Sequence, residues 1–186
     1  MLGYTIKHLA ISEDNEDKIE LRAHPALVSK KSYLANLKGV RNGIEVDTDL
    51  IGKIHIAGSG AGQESTASGL ISDIIHLANS NEDILNVVSS INQKPIKDFG
   101  EFSFQYYFFI EAEDNPGVMA SITTRLAEES IGIESMVQKD ELGKNIVPII
   151  LITDIFKEDK LEGIKDKILS LDTIKNLRTI RIESTD

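Results

Sequence analysis

The sequence contains no cysteine, and it also lacks long apolar runs. The first absence excludes a disulfide framework and thiolate chemistry. The longest late apolar run, IVPIILI at 146–152, is far shorter than the roughly 20 residues that a membrane-spanning helix needs. The amino end shows no secretory h-region followed by a small-residue cleavage site. We therefore expect a soluble, cytoplasmic protein that does not contact a membrane.

Basic residues are scarce relative to acidic ones. The net charge is −10 at pH 7, and most of the acidic excess lies in the carboxyl-terminal half. Such a surface would repel a phosphate backbone. The sequence has no basic stripe with interleaved aromatic residues, so nucleic acid is not an expected partner.

Familiar catalytic and metal-binding patterns are also missing. The histidines show no metal-ligand spacing, and no Ser-His-Asp arrangement is recognisable, so we assign neither a metal site nor catalytic residues. An acidic run at 13–17 is interpreted as a solvated turn, with a metal site as the alternative. The histidines are His8, His24, His55 and His76.

Two patterned regions are present, separated by NQKPIKDFGEF at 92–102. Proline, glycine and mixed charges are typical of a linker. The 186 residues suit one large or two small domains. We therefore predict domains at 1–95 and 102–186.

The second region reads as βαββαβ. FSFQYYFFIEAE at 102–113 alternates as a strand, and Tyr107 and Phe109 predict cover on its second face as well. Helical spacing follows in PGVMASITTRLAEES and again at 157–170. The remaining predicted strands are 131–139, 146–153 and 174–183. Pro148 within the second of these indicates an edge position or a bulge.

The first region is less regular. It predicts a strand at 18–30 broken at His24–Pro25, two alternating strands within 35–62, and a helix from 63 onward. The turn GSGAG at 58–62 precedes that helix. Glycines before a helix suit a phosphate, but no Rossmann fingerprint accompanies them. For the isolated motif we therefore favour a plain tight turn over a phosphate site.

The strongest turn signal in the sequence is DNPG at 114–117, which forms a corner between a predicted strand and a predicted helix. Asn115 is predicted to cap the following helix, Pro116 fits its first turn, and Gly117 allows close approach. The helix start would offer unpaired amides and a partial positive charge. From these residues alone, a simple strand-to-helix turn and an anion site both remain open.

The stretch EAEDNPGVMASITTRLAEESIGIESMVQ resembles the signature of ACT domains, which are small-molecule-sensing modules of amino-acid metabolism. The resemblance covers about residues 104–184. It implies side-by-side pairing of two copies and an amino-acid effector, with threonine the leading candidate, and a pairing module without ligand is the alternative. The effector-binding residues that it implies are Asp114, Asn115, Gly117, Val118 and Gln138.

Almost the whole chain also resembles the carboxyl-terminal portion of homoserine dehydrogenase. The motifs are GYTIKHLAIS, IELRAHPALV, NLKGVRNGIEV, GKIHIAGSGAGQESTASGLISDI and IESMVQK. The resemblance implies NAD(P)-dependent interconversion of L-homoserine and L-aspartate 4-semialdehyde, in threonine and methionine biosynthesis. Cofactor contacts would fall on Gly58, Gly60, Ala61, Gly62 and Thr66.

In that family the nucleotide fingerprint and the catalytic lysine lie upstream of GYTIK, which here begins at residue 3. We therefore expect a portion that is inactive alone and binds no cofactor by itself. The expected fold class is α+β: a mixed-sheet remnant of a substrate and dimerisation domain, then a ferredoxin-like βαββαβ ACT domain. Homo-oligomers are expected through ACT and sheet pairing. A stand-alone amino-acid-binding or dimerisation module is the alternative function.

Overall fold

The computed structural model describes residues 3–79, 94–139, 143 and 145–184. Four strands precede the first α-helix, and strands and helices are mixed along the rest of the described chain. In chain order the elements are β1 (Tyr4–Asp14), β2 (Ile19–Ser29), β3 (Arg41–Thr48), β4 (Gly52–Ser59), α1 (Gln63–Asn79), β5 (Ser103–Glu113), α2 (Val118–Glu128), β6 (Ile133–Gln138), β7 (Ile146–Thr153), β8 (Phe156–Lys157), α3 (Leu161–Leu169) and β9 (Ile174–Glu183).

The chain forms two compact units, and their division differs from the predicted one. The larger unit combines Met1–Ser29 with Pro95–Asp186, and the smaller one is Lys30–Lys94. The first strands join the carboxyl-terminal region because β2 pairs in parallel with β9. Part of the predicted linker is also bound there, since the backbone N–H of Ile19 donates to the Pro95 carbonyl over 2.9 Å.

One mixed sheet organises the larger unit. Its described strands run in the order β1-β2-β9-β5-β7-β6, with β8 paired to one end of β5. Apart from the two-residue β8, strands β5 to β9 with α2 and α3 follow the predicted βαββαβ order. The parallel β2–β9 contact among antiparallel neighbours makes the sheet mixed, so the mixed α/β class is confirmed.

The main core lies on one face of β5, beneath α2 and α3, and a smaller buried apolar cluster lies on the opposite face. Phe104, Tyr106, Phe108 and Ile110 alternate along the strand and are each at most 4% exposed. A strand sends successive side chains to opposite faces, so this period-two pattern places the four on one side. Apolar residues from both helices complete the cluster: Val118, Ile122, Leu126, Leu161, Ile164 and Ile168.

Pro25 does not break its strand, and Pro148 does not lie in an edge strand, contrary to the predictions. Strand β2 is unbroken, and Pro25 pairs with His8 on β1. Strand β7 lies between β5 and β6 rather than at an edge. The carbonyl of Pro148 accepts from Lys139, just beyond the last β6–β7 pair. A residue's N–H and C=O point to the same neighbour in an antiparallel pair, so the missing N–H removes one bond where β6 ends.

The β1–β2 hairpin curves around a groove in the larger unit. Tyr4 and Ser29 are paired at one end of the hairpin, and Glu13 and Glu20 at the other. All four line the same groove of about 550 Å³. Arg22 also bonds to Glu183, which pairs with Val28 six residues further along β2. A straight strand would hold Arg22 and Val28 about 20 Å apart, beyond the reach of the two side chains, so β2 bends. The bend replaces the predicted break at His24–Pro25.

The smaller unit contains the β3–β4 hairpin and α1. The predicted strands and helix are present, with α1 starting at Gln63. None of the residues in α1 is buried. Its apolar stripe is open, with Leu70, Ile71, Ile74 and Ile75 between 55% and 64% exposed. No helix in the described part of the chain is long and apolar enough to cross a bilayer.

Candidate functional site

The DNPG corner joins the end of β5 to the start of α2. Gly117 has φ 93° and ψ −10°, in the left-handed region, and it occupies the N-cap position. A Cβ built at Gly117 would meet no atom within 4 Å. The backbone conformation, and not crowding, is therefore what favours glycine here.

Asn115 is not the N-cap, contrary to prediction. Its carbonyl accepts from the Val118 N–H over 3.3 Å, and no side chain caps the helix. The amide Nδ2 of Asn115 instead donates to Oε2 of Glu113 over 2.9 Å. Pro116 and Gly117 separate Asn115 from the first helical residue, so Asn115 lies two positions too early to cap.

Asp114 and Gln138 meet across the corner. The Nε2 atom of Gln138, at the end of β6, donates to Oδ1 of Asp114 over 3.1 Å. Asp114 is also fixed through its backbone N–H, which donates to the Asn145 carbonyl over 3.0 Å. The structure therefore brings together two residues that are 24 positions apart and that the family resemblance assigned to one effector site.

The other corner residues differ in accessibility. Asp114, Asn115, Gly117 and Gln138 are exposed, whereas Val118 is 6% exposed and belongs to the core cluster. The amides of the first helical turn have no acceptor within the helix. The corner can thus donate from its backbone and accept through the carboxylate and amide oxygens, while Val118 supports the helix from beneath.

We expect Gly117→Ala to lower the free energy of unfolding by about 1–2 kcal/mol, because alanine must adopt a positive φ. Gly163→Ala in α3 is the matched control, since its added Cβ also meets no atom within 4 Å. That control should stabilise the protein by about 0.5–1 kcal/mol through helix propensity. Urea denaturation of both variants measures the two effects. Equal effects of the same sign would contradict a special backbone at the corner.

The glycine turn before α1 is shaped by its backbone. A Cβ at Gly60 would lie 2.0 Å from Nδ2 of Asn42, and Gly62 has φ 129°. The Gly62 carbonyl accepts from Ser65 Oγ over 3.0 Å and from Thr66 Oγ1 over 2.9 Å. Gly58 lies in β4, paired with Asn42.

These contacts fit a nucleotide cofactor only in part. The glycines allow close backbone approach, and the first-turn amides of α1 could meet a phosphate. The Thr66 hydroxyl, which the family resemblance assigned to the cofactor, is directed at the Gly62 carbonyl instead. The residues of the turn are exposed, so in this unit they form an edge rather than a pocket.

Sequence reasoning missed a buried charge cluster where β2 meets the end of β9. Arg22 binds Glu183 through two bonds, Nε to Oε1 at 2.9 Å and Nη2 to Oε2 at 3.1 Å. Nη2 also donates to Glu13 Oε1 over 2.7 Å, and Nη1 lies 3.3 Å from Glu20 Oε2. Burial opposes the charge, but hydrogen bonds to Glu183 and Glu13 outweigh it and raise the pKa of Arg22.

His24 completes that cluster. It is 6% exposed, and its Nε2 lies 3.1 Å from Oε1 of Glu183 without hydrogen-bond geometry in the described structure. Its ring meets Phe104 edge-on, with ring centroids 5.6 Å apart. No local pattern could have revealed this cluster, because Arg22 and Glu183 are 161 positions apart.

A second buried network lies beside the first. Tyr106 Oη donates to Oε2 of Glu158 over 2.5 Å, and Arg181 Nε donates to the same oxygen over 2.8 Å. Burial and the bond to Glu158 both raise the pKa of Tyr106. Burial would raise the pKa of Glu158, but the bonds from Arg181 and Tyr106 lower it.

Comparison with known proteins identifies the family. A family model described as homoserine dehydrogenase matches residues 1–75. Homoserine dehydrogenase from Pseudomonas aeruginosa is 35% identical over 185 residues, which are 95% of this chain and 42% of the relative. The chain is homologous to a carboxyl-terminal portion of homoserine dehydrogenase. Homoserine dehydrogenase from Helicobacter pylori is 33% identical, with 96% of this chain and 41% of the relative covered.

Solved homoserine dehydrogenases share the fold. The crystal structure of the enzyme from Thiobacillus denitrificans superposes with a TM-score of 0.82 at 34% identity, covering 98% of this chain and 43% of that one. The chain therefore spans about two fifths of the length of the homoserine dehydrogenases it matches.

Proposed function

We propose that this chain works as the regulatory and structural portion of a homoserine dehydrogenase, an NAD(P)-dependent oxidoreductase that interconverts L-homoserine and L-aspartate 4-semialdehyde. Within it, residues 104–184 would act as an ACT domain that binds an amino-acid effector. Similarity along 95% of the chain, including residues outside the βαββαβ unit, favours this function over a stand-alone sensor.

One observation carries the effector proposal: Asp114 and Gln138 meet beside the left-handed Gly117 turn of a βαββαβ unit. We propose threonine as the effector. Its carboxylate would bind the amides at the start of α2, where the helix dipole favours an anion. Gln138 would bind the side-chain hydroxyl.

The corner supplies an acceptor for the ammonium group. A carboxylate can only accept hydrogen bonds, so the side of the Asn115 amide that faces Glu113 must be its NH₂ group. The Oδ1 atom of Asn115 is then on the opposite side of the amide, oriented away from Glu113. We propose that this oxygen, together with the Asp114 carboxylate, accepts from the ammonium.

Calorimetric titration of threonine into the chain tests the function. We expect binding in the millimolar range or tighter, and Asn115→Ala should weaken it about tenfold or more, since a hydrogen bond to a charged group is lost. Asn79→Ala, at the end of α1 in the other unit, is the control and should leave the affinity unchanged. No heat at millimolar threonine, or binding that is indifferent to Asn115→Ala, would refute the site.

We also propose that two copies pair through the βαββαβ unit, along the edge strand β6. Light scattering should then give about twice the 20.5 kDa mass of the chain. Val137→Lys places a charge on that exposed edge and should shift the mass to the monomer. Ile74→Lys on the open stripe of α1 is the comparison. A dimer lost only with Ile74→Lys would place the interface on α1 instead.

A further inference from the structure

We infer that the wrapped contact between β2 and β9 is a coupling device, in which the Arg22–Glu183 clasp makes the β1–β2 hairpin and the βαββαβ unit one cooperative body. Through it, the state of the corner at 114–117 would reach residues 4–29. Only the ligand part of this inference rests on the proposed function, because the clasp itself can be tested without any ligand.

Backbone pairing alone ties the two parts weakly. Strands β2 and β9 share three residue pairs, from Ala26↔Arg181 to Val28↔Glu183. The other side of β9 pairs with β5 along nearly its whole length, from Ile174 to Ile182. Three parallel pairs leave the hairpin free to open separately unless side chains add to them.

Apolar side chains of the hairpin pack against the sheet there, and the clasp adds a buried ion pair. Glu183 is the last residue of β9, and it contacts β2 at two places. Its backbone pairs with Val28, and its side chain bonds to Arg22 six residues earlier on the same bent strand. The guanidinium and carboxylate side chains are only 8% and 7% exposed, and two bonds join them. A buried bidentate pair fixes geometry, and removal of one partner leaves the other charge uncompensated.

The segment around Lys97 also binds the first residues of β2. Lys97 donates from its backbone to the Ile19 carbonyl over 2.9 Å, and its Nζ lies 2.6 Å from Oε1 of Glu20. Lys97 also lies over the Phe102 ring, 5.1 Å from its centroid. The segment just before β5 is therefore bound to β2 as well.

Strand β9 connects the clasp to the corner. Just before its first residue, the Thr173 carbonyl accepts from the Glu113 N–H over 2.9 Å. Near its start, Lys175 Nζ lies 2.6 Å from Oε1 of Glu113, whose other oxygen holds Asn115. Its last residue is Glu183. One continuous strand thus begins at the corner and ends inside the curve of the hairpin.

Native-state hydrogen exchange on the unliganded chain tests the clasp. In the unaltered protein, amides of β1–β2 and of β5 should open together with the same protection. In Glu183→Gln, exchange in β1–β2 should accelerate about 100-fold, as expected for breaking a buried pair, while β5 and β7 change much less. Arg22→Lys keeps the positive charge but loses the two-bond contact of the guanidinium with Glu183. It should therefore show a smaller difference in exchange between β1–β2 and β5.

Glu128→Gln, which removes an exposed ion pair on α2, is the control and should leave both regions unchanged. If Glu183→Gln accelerates exchange in β1–β2 and β5 by the same factor, the clasp only adds stability and the inference is wrong. Unaccelerated exchange in β1–β2 overturns it too. If Glu183→Gln does not fold, Arg22→Lys decides by the same criterion.

A second arm adds threonine at a concentration that calorimetry shows to be saturating. Exchange should then slow in β1–β2 as well as at the start of α2, and Glu183→Gln should abolish the response in β1–β2 only. Binding heat with no response in β1–β2 overturns the coupling and leaves the proposed effector intact. Absence of binding heat refutes the effector, and the unliganded exchange still decides the clasp.

Discussion

Replacing Glu158 with glutamine is expected to lower the free energy of unfolding by about 3 kcal/mol at pH 7. Glu158 is held by Tyr106 and by both Nε and Nη2 of Arg181. Glutamine cannot neutralise the guanidinium, which is largely buried and lies over the Phe104 ring at 5.4 Å. Urea denaturation measures the loss. Glu162→Gln, whose side chain is 75% exposed in a pair with Lys165, should change stability by less than about 1 kcal/mol.

The stability lost in Glu158→Gln should decrease as the pH falls. The bonds from Arg181 and Tyr106 lower the pKa of Glu158 below its ordinary value of 4.5 in the folded protein. A carboxylate with a depressed folded pKa contributes stability above its unfolded pKa, and this contribution disappears as the pH falls through the folded pKa. The difference between the unaltered protein and Glu158→Gln should therefore be full at pH 7 and shrink below pH 4.5. A difference that stays constant down to pH 3 would contradict the ionic origin.

Local patterns in the sequence predicted most strands and helices between residues 102 and 183, but neither the short β8 nor the unbroken β2. The alternation along 102–113 predicted the buried face of β5, because a strand has a strict period of two residues. The same reasoning located α2 and α3 through apolar residues at helical spacing. Met119 and Leu169 lie at the margins of these helical stripes and remain 38% and 44% exposed.

Long-range contacts were beyond that reasoning. Nothing near Arg22 indicates Glu183, since only the parallel β2–β9 pairing brings them together. The position of β7 inside the sheet likewise depends on β6 folding against it, so Pro148 looked like an edge residue when considered alone. The predicted division at 92–102 followed composition, whereas the compact units follow which strand pairs with β9.

The candidate site was only partly predictable. The residues of the site were identified from a family motif, and in the structure Gln138 donates a hydrogen bond to Asp114. The orientation of Asn115 was not predictable, because it depends on Glu113 and, through Glu113, on Lys175 at the start of β9. A motif records which residues occupy a corner, whereas their hydrogen-bond partners depend on the surrounding strands.

Phe108→Ala is expected to produce the largest loss, about 3–5 kcal/mol, as for other large-to-small changes of buried aromatic residues. Phe108 is 0% exposed at the centre of β5, where it pairs with Leu151 and Thr179 beneath the two helices. No flexible neighbour can fill the space, because the adjoining core residues are themselves fully packed.

The adjacent residue provides the matched control, since Phe109 projects from the same strand to the opposite face and is only partly buried. Phe109→Ala should cost about half as much in dilute protein, because less apolar area returns to water. Both variants can be measured by urea denaturation at two protein concentrations. A cost for Phe109→Ala that grows with concentration would show that a second copy covers this face, which would move the proposed pairing from the β6 edge to the sheet face. Equal costs at every concentration would mean that the chain itself covers Phe109 as fully as Phe108, which would contradict the partial burial of Phe109.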